Sequence, residues 1–397
     1  MNRRYIEMEN HQSQSRSAFI AIALMVKNEA ISIQSLLSSL SNEGIHHFFI
    51  LDTGSNDNTM ELAQAFFQQH ELDGYIKQEP FIDFSASRNR TIELAEQQFP
   101  HIPFLLMPDA EWHLHQVQSL IHFCEQEQHR DTPLYLIKMK MNSVEFAAAR
   151  LFRTSSRVRF NGVVHEVPNV VAQLKVPDPV YFEVKASVEG IQKSHRRWQQ
   201  DLVLLSKAYA KNPHDPRTLF YLAQTYECLD KLEEAYRFYQ YREKLNGWDE
   251  ENFITLLRLG CLAERLSQTH AAYDWATAKK YFLKAFSLRS HRIEPLVKLA
   301  NHYWPKDIPA CYFFIRHAYD IPYPKLDLLF IDKEMYEYSR YEIMSRCAWY
   351  MGEFALGEQA TQLALKIHPN MEHLHKNLEI YQQTLNSILL GTEKTRF

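Results

Sequence analysis

The chain has 397 residues, with 46% hydrophobic and 23% charged residues and a formal net charge of −4. This composition is ordinary for a globular chain of about two to three domains, and the charge gives no electrostatic case for nucleic acid or an anionic membrane as partner. Only 10 residues are glycine, against roughly 7% in average proteins, which excludes collagen-like and glycine-rich linker sequences. No apolar run approaches the roughly 18 residues of a membrane span.

Residues 1–16 are polar and lack the apolar core of a secretory signal, so we expect a flexible tail. The cysteine count is odd and no C-x-x-C pair occurs among Cys124, Cys228, Cys261, Cys311 and Cys347. The sequence therefore supports neither a disulfide framework nor a cysteine zinc site. Free cysteines favour a reducing compartment, so we expect a cytoplasmic location, with delivery to another cell left open.

Strand and helix patterns alternate up to about residue 190. Apolar runs predict strands at 19–26, 48–51, 75–77 and 102–107, and helical spacing predicts helices at 29–40, 59–70 and 85–98. Such alternation is typical of a mostly parallel α/β sheet covered by helices on both faces. Right-handed crossovers bring the carboxyl ends of the strands to one edge, where open α/β sheets bind ligands.

From about residue 191 the pattern changes to long amphipathic helices. Small residues recur at Ala223, Gly260, Ala300 and Ser345, each followed by a second set of small and aromatic residues. The intervals are somewhat longer than the roughly 34 residues of an ideal tetratricopeptide repeat. We expect a degenerate α-helical solenoid, with an irregular helical bundle as the alternative.

Polar clusters follow each predicted strand. Val26 to Glu29 follow the first strand, where a solvated helix N-terminus is the alternative explanation. Asp52 ends the second apolar strand, a poor position for a carboxylate without a partner or ligand, and Gly54 suits the tight turn after it.

Two further clusters hold opposite charges. In 83–89, Ser85 is a plausible N-cap, which would put Arg88 in the first helical turn, where a cation needs a carboxylate or an anionic ligand nearby. After the fourth strand, Asp109 and Glu111 lie one residue apart. Such a pair can share a hard cation, although a turn-initiating Asp beside a solvent-exposed Glu is the common alternative.

The last clusters lie at 150–166. Arg150 and Arg153 are placed on one strand face, where they would suit phosphate or carboxylate; an exposed strand face is the alternative. His165 and Glu166 follow a short apolar pair, and a core or surface histidine is the alternative there.

The order of these clusters is more specific than any one of them. The series MVKNE (25–29), LDTGSNDNT (51–59), DFSASRN (83–89), DAE (109–111) and NGVVHE (161–166) resembles family 2 glycosyltransferases of the GT-A fold. It resembles in particular the bacterial subgroup whose catalytic domain precedes tetratricopeptide repeats. The resemblance implies an α/β plus all-α chain, with a Rossmann-like GT-A glycosyltransferase domain at 17–190 and a tetratricopeptide-like helical repeat domain at 191–397.

The resemblance also implies residue roles. Asp109 and Glu111 would form the D-x-D metal site with His165 as a further ligand, although Glu111 replaces the family's usual Asp. Glu166 is the first candidate for the catalytic base, with Glu145 and Asp83 as alternatives; Arg88 and Asp109 complete the catalytic set. The residues expected to bind the nucleotide sugar are Val26, Lys27, Asn28, Glu29, Asp52, Gly54, Arg88, Asn89, Asp109, Ala110, Arg150 and Arg153.

These roles predict an inverting, metal-dependent transfer from a nucleotide sugar, expected to be a UDP-sugar, to a hydroxyl acceptor. The metal would be Mn²⁺ or Mg²⁺, with Mn²⁺ preferred if a histidine nitrogen takes part. The acceptor is open between protein, lipid and glycan, and the repeats would bind it or a protein partner. The alternative is a non-catalytic scaffold with a decayed transferase domain; a nucleotidyltransferase lacks support because no glycine-rich basic loop is present.

Overall fold

The computed structural model describes residues 17–171, 174–184 and 188–390. The predicted flexible tail, residues 1–16, lies outside these ranges. The chain divides into two compact units. The sheet unit consists of Met1–Lys140 and Ala147–Lys185, and the helical unit consists of Met141–Phe146 and Ala186–Phe397.

The elements of the described residues follow in chain order. The strands are β1 (Ser17–Val26), β2 (Ile45–Asp52), β3 (Asp73–Gln78), β4 (Phe104–Leu106), β5 (Trp112–His115), β6 (Leu134–Met141), β7 (Val144–Arg153), β8 (Phe160–Asn161), β9 (Val167–Pro168), β10 (Leu174–Lys175), β11 (Tyr181–Val184) and β12 (Ile331–Asp332). The α-helices of the sheet unit are α1 (Ile33–Ser41), α2 (Thr59–Gln69), α3 (Phe84–Gln98) and α4 (Val117–Glu127).

The helical unit contains further α-helices, with a short π-helix at Met335–Ser339 and a 3₁₀ turn at Ala348–Met351. They are α5 (Val188–Lys211), α6 (Pro216–Cys228), α7 (Leu232–Glu243), α8 (Asp249–Leu266), α9 (Trp275–Leu288), α10 (Glu294–Tyr303), α11 (Ile308–Tyr319), α12 (Arg340–Cys347), α13 (Phe354–Ile367) and α14 (Glu372–Leu389). No helix among the described residues is long and apolar enough to cross a membrane.

The strands of the sheet unit follow the order β3-β2-β1-β4-β7-β6-β11-β5. The first four are parallel, with β2 and β4 flanking β1. Ile20 to Leu24 in β1 are completely buried, which explains why this central strand reads as an unbroken apolar run. The predicted parallel βα alternation is therefore present as far as β4.

Beyond β4 the sheet becomes mixed, which the sequence patterns did not indicate. β7 runs antiparallel to β4, and β5 antiparallel to β11. The strands here carry charged residues such as Lys138 and Lys140 between apolar ones, so they give a weaker signal than a doubly buried strand.

Helix pairs α6–α7, α8–α9, α10–α11 and α12–α13 carry the predicted small-residue positions. A Cβ on Gly260 would lie 2.6 Å from the Phe282 ring, and a Cβ on Gly357 would lie 2.2 Å from the Tyr381 ring. Such contacts let the helices approach closely, so packing accounts for the small residues noted in the sequence.

The segment Met141–Phe146, predicted to belong to the first domain, packs with the helical unit. Val144 and Glu145 pair antiparallel with β12, and the Tyr323 hydroxyl donates to Glu145 Oε2 at 2.7 Å. The Phe146 ring lies 5.6 Å from that of Phe330. These non-local contacts leave no pattern along the chain, which is why the sequence did not predict them.

We predict that Gly357→Ala lowers the free energy of unfolding by about 1–3 kcal/mol, because the new methyl group overpacks the buried Tyr381 ring. The same change in an open helix position would stabilise it by up to about 1 kcal/mol. Urea denaturation followed by circular dichroism measures the effect, with Gln359→Ala on the exposed face of α13 as control. A Gly357→Ala protein as stable as the control would contradict this packing.

Candidate functional site

The predicted site residues lie at the carboxyl edge of the parallel strands. Val26 pairs in register with Asp52, and Asp52 with Gln78, so three strands end at one level. The chain leaves β1 toward β2, whereas β4 lies on the other side of β1. The loops after β1 and β4 therefore flank the topological switch point, where open α/β sheets place their ligands.

The loops after β1 and β2 are tied together by hydrogen bonds. Asn28, with a positive φ of 57°, donates its backbone N–H to Ser55 Oγ at 2.8 Å and accepts at Oδ1 from the Asn56 N–H at 2.9 Å. The Glu29 N–H donates to Thr59 Oγ1 at 2.8 Å. The K-N-E and D-T-G-S-N-D-N-T motifs thus form one rigid double loop, with Lys27 exposed on it.

Asp52 is completely buried at the base of this double loop. Its Oδ1 accepts from the Gly54 and Ser55 N–H groups, both at 2.9 Å, and from Gln78 Nε2 at 3.1 Å. Burial alone would raise the pKa of Asp52, but hydrogen bonds from Ser55, Gly54 and Gln78 lower it overall. Its buried Oδ2 has no hydrogen-bond partner among the described residues, so one acceptor remains for a ligand.

The N-cap of helix α3 lies two residues before the predicted Ser85. Asp83 is the N-cap, and its Oδ1 accepts from the Ala86 N–H at 2.7 Å and from Ser85 Oγ at 3.0 Å. Asp83 rather than Ser85 caps the helix because a carboxylate is a stronger acceptor than a hydroxyl at the positive end of the helix dipole. Arg88 therefore lies in the second turn, away from the exposed N–H groups.

Arg88 is buried and joins two carboxylates. Its Nε donates to Glu166 Oε1, and its terminal nitrogens lie 3.4 Å from Asp109 Oδ1. Burial would lower the pKa of Arg88, but the charges of Glu166 and Asp109 raise it above its ordinary value. Arg88 thus connects α3, the loop after β4 and the 161–166 segment, as expected for a cation paired with carboxylates.

Arg150 approaches the same carboxylate from β7. Its terminal nitrogen lies 3.9 Å from Glu166 Oε1, and its guanidinium lies over the rings of Trp112 and Phe160. Burial and the charge of Arg88 lower the pKa of Arg150 to about 10, so it stays charged at neutral pH. Its buried Nε has no hydrogen-bond partner among the described residues. An unpaired buried N–H costs free energy, and a nearby anion that accepts a hydrogen bond from it would offset that cost.

Two predicted nucleotide ligands have other partners. Arg153 donates to the carbonyls of Glu127, Gln128 and Thr132 at 2.8–3.3 Å, which satisfies the C-terminal end of α4. Its placement on the same strand face as Arg150 was wrong. A separation of three residues puts two side chains on opposite faces of a strand.

Asn89 is likewise engaged by the backbone. Its amide donates to the Phe160 carbonyl at 2.9 Å and accepts from the Phe160 N–H at 2.6 Å. The side chain predicted to support the nucleotide therefore fixes the residue over whose ring Arg88 and Arg150 both lie. In this structure Asn89 positions the arginines through Phe160.

The predicted metal ligands do not form an ion site by themselves. Across the described residues, no group of three His, Cys, Asp or Glu side chains is placed to hold a metal. Asp109 Oδ1 faces the Arg88 guanidinium, so a cation there would compete with an arginine. Asp109, Glu111 and His165 as placed therefore form no preformed metal centre among the described residues.

The three candidate bases differ in their surroundings. Burial would raise the pKa of Glu166, but Arg88 and Arg150 lower it to about 2, which makes this carboxylate a weak proton acceptor. Asp83 caps α3, and Glu145 accepts from Tyr323 within the helical unit. The geometry therefore disfavours Glu166 as base and favours it as the counter-charge of two arginines.

Three contributors were missed by sequence reasoning: Gln78, Phe160 and Trp112. Gln78 ends β3 in register with Asp52, so the strand-end rule applied to the other clusters would have found it. Phe160 and Trp112 contact Arg150 through ring faces, and no sequence spacing indicates such contacts.

No protein-family model matches the chain. The curated relatives that it matches include the SPbeta prophage-derived glycosyltransferase SunS of Bacillus subtilis strain 168 and glycosyltransferase SunS of Bacillus phage SPbeta. Each is 26% identical over 263 residues, covering 61% of this chain and 58% of the relative. The chain is thus similar to a glycosyltransferase, and it spans less than two thirds of the length of these relatives.

Helical-repeat proteins are among the matching solved structures. YrrB, a TPR protein with an unusual peptide-binding site, is 12% identical, with 49% of this chain and 88% of that chain covered and a TM-score of 0.34. MamA is 13% identical, with 46% and 95% covered and a TM-score of 0.33. TM-scores of this size are too low to establish a shared fold.

We predict that Glu166→Gln lowers the free energy of unfolding at pH 7 by about 3 kcal/mol, because it leaves the buried Arg88 with only Asp109, 3.4 Å away, as counter-charge. The folded-state pKa of Glu166, about 2, lies below the ordinary 4.5. Its stabilisation is therefore present above pH 4.5 and is lost as pH falls toward 2, so the difference between variant and parent should shrink over that window.

The matched control is Glu79→Gln, which breaks partly exposed ion pairs with Lys77 and Arg90 and should cost less than about 1 kcal/mol. Urea denaturation followed by intrinsic fluorescence, repeated from pH 7 to pH 3, compares the two variants. Equal, small losses in both would show that Glu166 is not the counter-charge that holds this cluster.

Proposed function

We propose that the chain is a glycosyltransferase that moves a sugar from a nucleotide sugar, expected to be a UDP-sugar, to a hydroxyl acceptor with inversion. The observation that carries the proposal is that Asp52, at the end of β2, and Asp109, in the loop after β4 and paired with Arg88, lie on the two sides of the switch point of a parallel sheet. The similarity to a glycosyltransferase over 263 residues supports the same activity. The resemblance of the sequence motifs to GT-A enzymes of family 2 agrees with both.

The donor nucleotide would be held by buried polar atoms that have no hydrogen-bond partner among the described residues. Asp52 Oδ2 is a buried acceptor, suited to an N–H of the base or a ribose hydroxyl. Arg150 Nε is a buried donor, suited to a phosphate oxygen. Because an unpaired buried polar group costs about 1–3 kcal/mol, a ligand that satisfies both gains affinity beyond its own contacts.

The arginines would also act on the leaving group. In an inverting transfer a general base takes the proton of the acceptor hydroxyl as its oxygen attacks the anomeric carbon. The bond from that carbon to the phosphate oxygen breaks, and the nucleoside diphosphate leaves with the electron pair. Its developing charge would face Arg150 and Arg88, fixed in place by Glu166 and Asp109. Preorganised cations aimed at developing charge stabilise a transition state without reorganisation.

We propose that the helical unit binds the acceptor. Antiparallel helix pairs that bury small residues build an extended surface, and such repeats commonly use that surface for recognition. A protein acceptor or protein partner fits this surface, and lipid and glycan acceptors remain alternatives.

We predict that Asp52→Asn raises KM for the donor at least tenfold, because the amide cannot reproduce both the loop hydrogen bonds and the free acceptor. Donor turnover with UDP-glucose, UDP-N-acetylglucosamine and GDP-mannose as probes gives the measurement. The matched control is Asp73→Asn, an exposed aspartate at the opposite end of the strands, which pairs with His47. An unchanged KM for every accepted donor would remove Asp52 from the nucleotide site.

We predict that Asp109→Asn and Glu111→Gln each lower turnover at least tenfold, about 1.4 kcal/mol of transition-state stabilisation. From the resemblance of the motifs we also propose that a divalent metal ion takes part in the transfer. Because no ion site is preformed among the described residues, chelation followed by titration with Mn²⁺ and Mg²⁺ in the same assay tests this requirement. We expect restoration by Mn²⁺ to exceed that by Mg²⁺, and Glu111→Asp to retain activity. No donor turnover under any metal condition would instead favour the decayed scaffold.

A further inference from the structure

The helical unit contains a pocket of about 340 Å³ that plays no part in the proposed donor site. We call it the aromatic pocket. It lies among the end of α10, helix α12, the 3₁₀ turn and helix α14, and its key lining residues are Trp304, Arg346, Trp349, Tyr350, Asn377 and Tyr381. Its volume is at the lower end of the roughly 300–1,000 Å³ of small-molecule sites.

Aromatic rings form the walls of the aromatic pocket. Tyr381 is buried, its hydroxyl donates to the Ser345 carbonyl at 2.8 Å, and its ring packs on Gly357. The Trp349 ring lies 5.7 Å from that of Tyr381. Tyr350, in contrast, is 61% exposed. Its ring centroid lies 6.1 Å from that of Trp304, so this exposed ring and Trp304 together offer an apolar surface beside the fixed rings.

Two polar side chains, Arg346 and Asn377, also line the pocket. Arg346 stacks over the Trp304 ring at 5.0 Å, and its buried Nε has no hydrogen-bond partner among the described residues. Asn377 donates to Ser345 Oγ at 3.1 Å, which engages one of its amide hydrogens and leaves its carbonyl oxygen for another group. The lining thus includes a residue with N–H donors, Arg346, and a residue with an amide carbonyl acceptor, Asn377.

The charge of the pocket is balanced internally. Arg346 also donates to Glu342 Oε2 at 2.6 Å, and the pocket lining includes no carboxylate. An anionic ligand would compete with Glu342 for the guanidinium, and a cationic ligand would find no counter-charge. The lining therefore suits a neutral ligand that has an apolar face and both donates and accepts hydrogen bonds.

We propose that the aromatic pocket binds a neutral hexose unit of a glycan. The C–H face of a sugar ring is apolar and can lie on the exposed tyrosine, and its hydroxyls both donate and accept. A peptide also carries neutral donors and acceptors, but an extended chain needs a groove along several repeats, whereas this pocket is confined to the last helices. The proposal does not depend on the proposed function, because every lining residue belongs to the helical unit.

The test uses the full chain with methyl glycosides of glucose, galactose, mannose and N-acetylglucosamine as probes. Saturation-transfer NMR and tryptophan fluorescence report binding without a nucleotide or turnover. We expect saturable binding of at least one glycoside in the millimolar range. Tyr350→Ala and Asn377→Ala should each weaken it at least tenfold.

Two control variants separate this site from others. Tyr241→Ala removes another exposed tyrosine, outside the pocket, and should leave glycoside binding unchanged. Asp52→Asn should also leave it unchanged, which distinguishes this site from the donor site. Absence of saturable glycoside binding, binding insensitive to Tyr350→Ala and Asn377→Ala, or saturable binding of an uncharged aromatic tripeptide alone would each overturn the proposal.

Discussion

The candidate site depends on one buried cation, Arg88. It joins the second turn of α3 to Glu166 and Asp109, which arrive from two different loops. A buried ion pair adds little net stability, but removal of one partner is costly because the remaining charge stays buried. Arg88 therefore fixes where the loops meet, and its position follows from Asp83, which sets the start of α3.

Around Arg88 the site holds polar groups that the protein does not fully satisfy. Asp52 Oδ2 and Arg150 Nε are buried without hydrogen-bond partners among the described residues. Because folded proteins satisfy the great majority of buried polar groups, such exceptions indicate positions at which a ligand supplies the partner. An acceptor at the end of β2 and a donor on β7 agree with a ligand that has a hydrogen-bonding base or ribose at one end and phosphates at the other.

In the helical unit, close packing of aromatic rings on glycines determines the structure of the aromatic pocket. A side chain at Gly260 would collide with the Phe282 ring, and one at Gly357 would collide with the Tyr381 ring. Tyr381, held by this packing, then forms a fixed wall of the aromatic pocket. Tight packing thus accounts for the small residues of the repeat pattern and fixes one wall of the aromatic pocket.

The sequence by itself determined the parallel strands, their helices, the repeat positions and the motif order, because these depend on local periodicity and on residue types next to one another. Tertiary structure decided the rest. Arg153 binds helix carbonyls, Asn89 holds Phe160, and Glu166 pairs with two arginines. The partners in each of these pairs are 16 or more residues apart along the chain. Packing and the cost of an unpaired polar group therefore decide which residue satisfies a buried charge, and a local sequence pattern records neither.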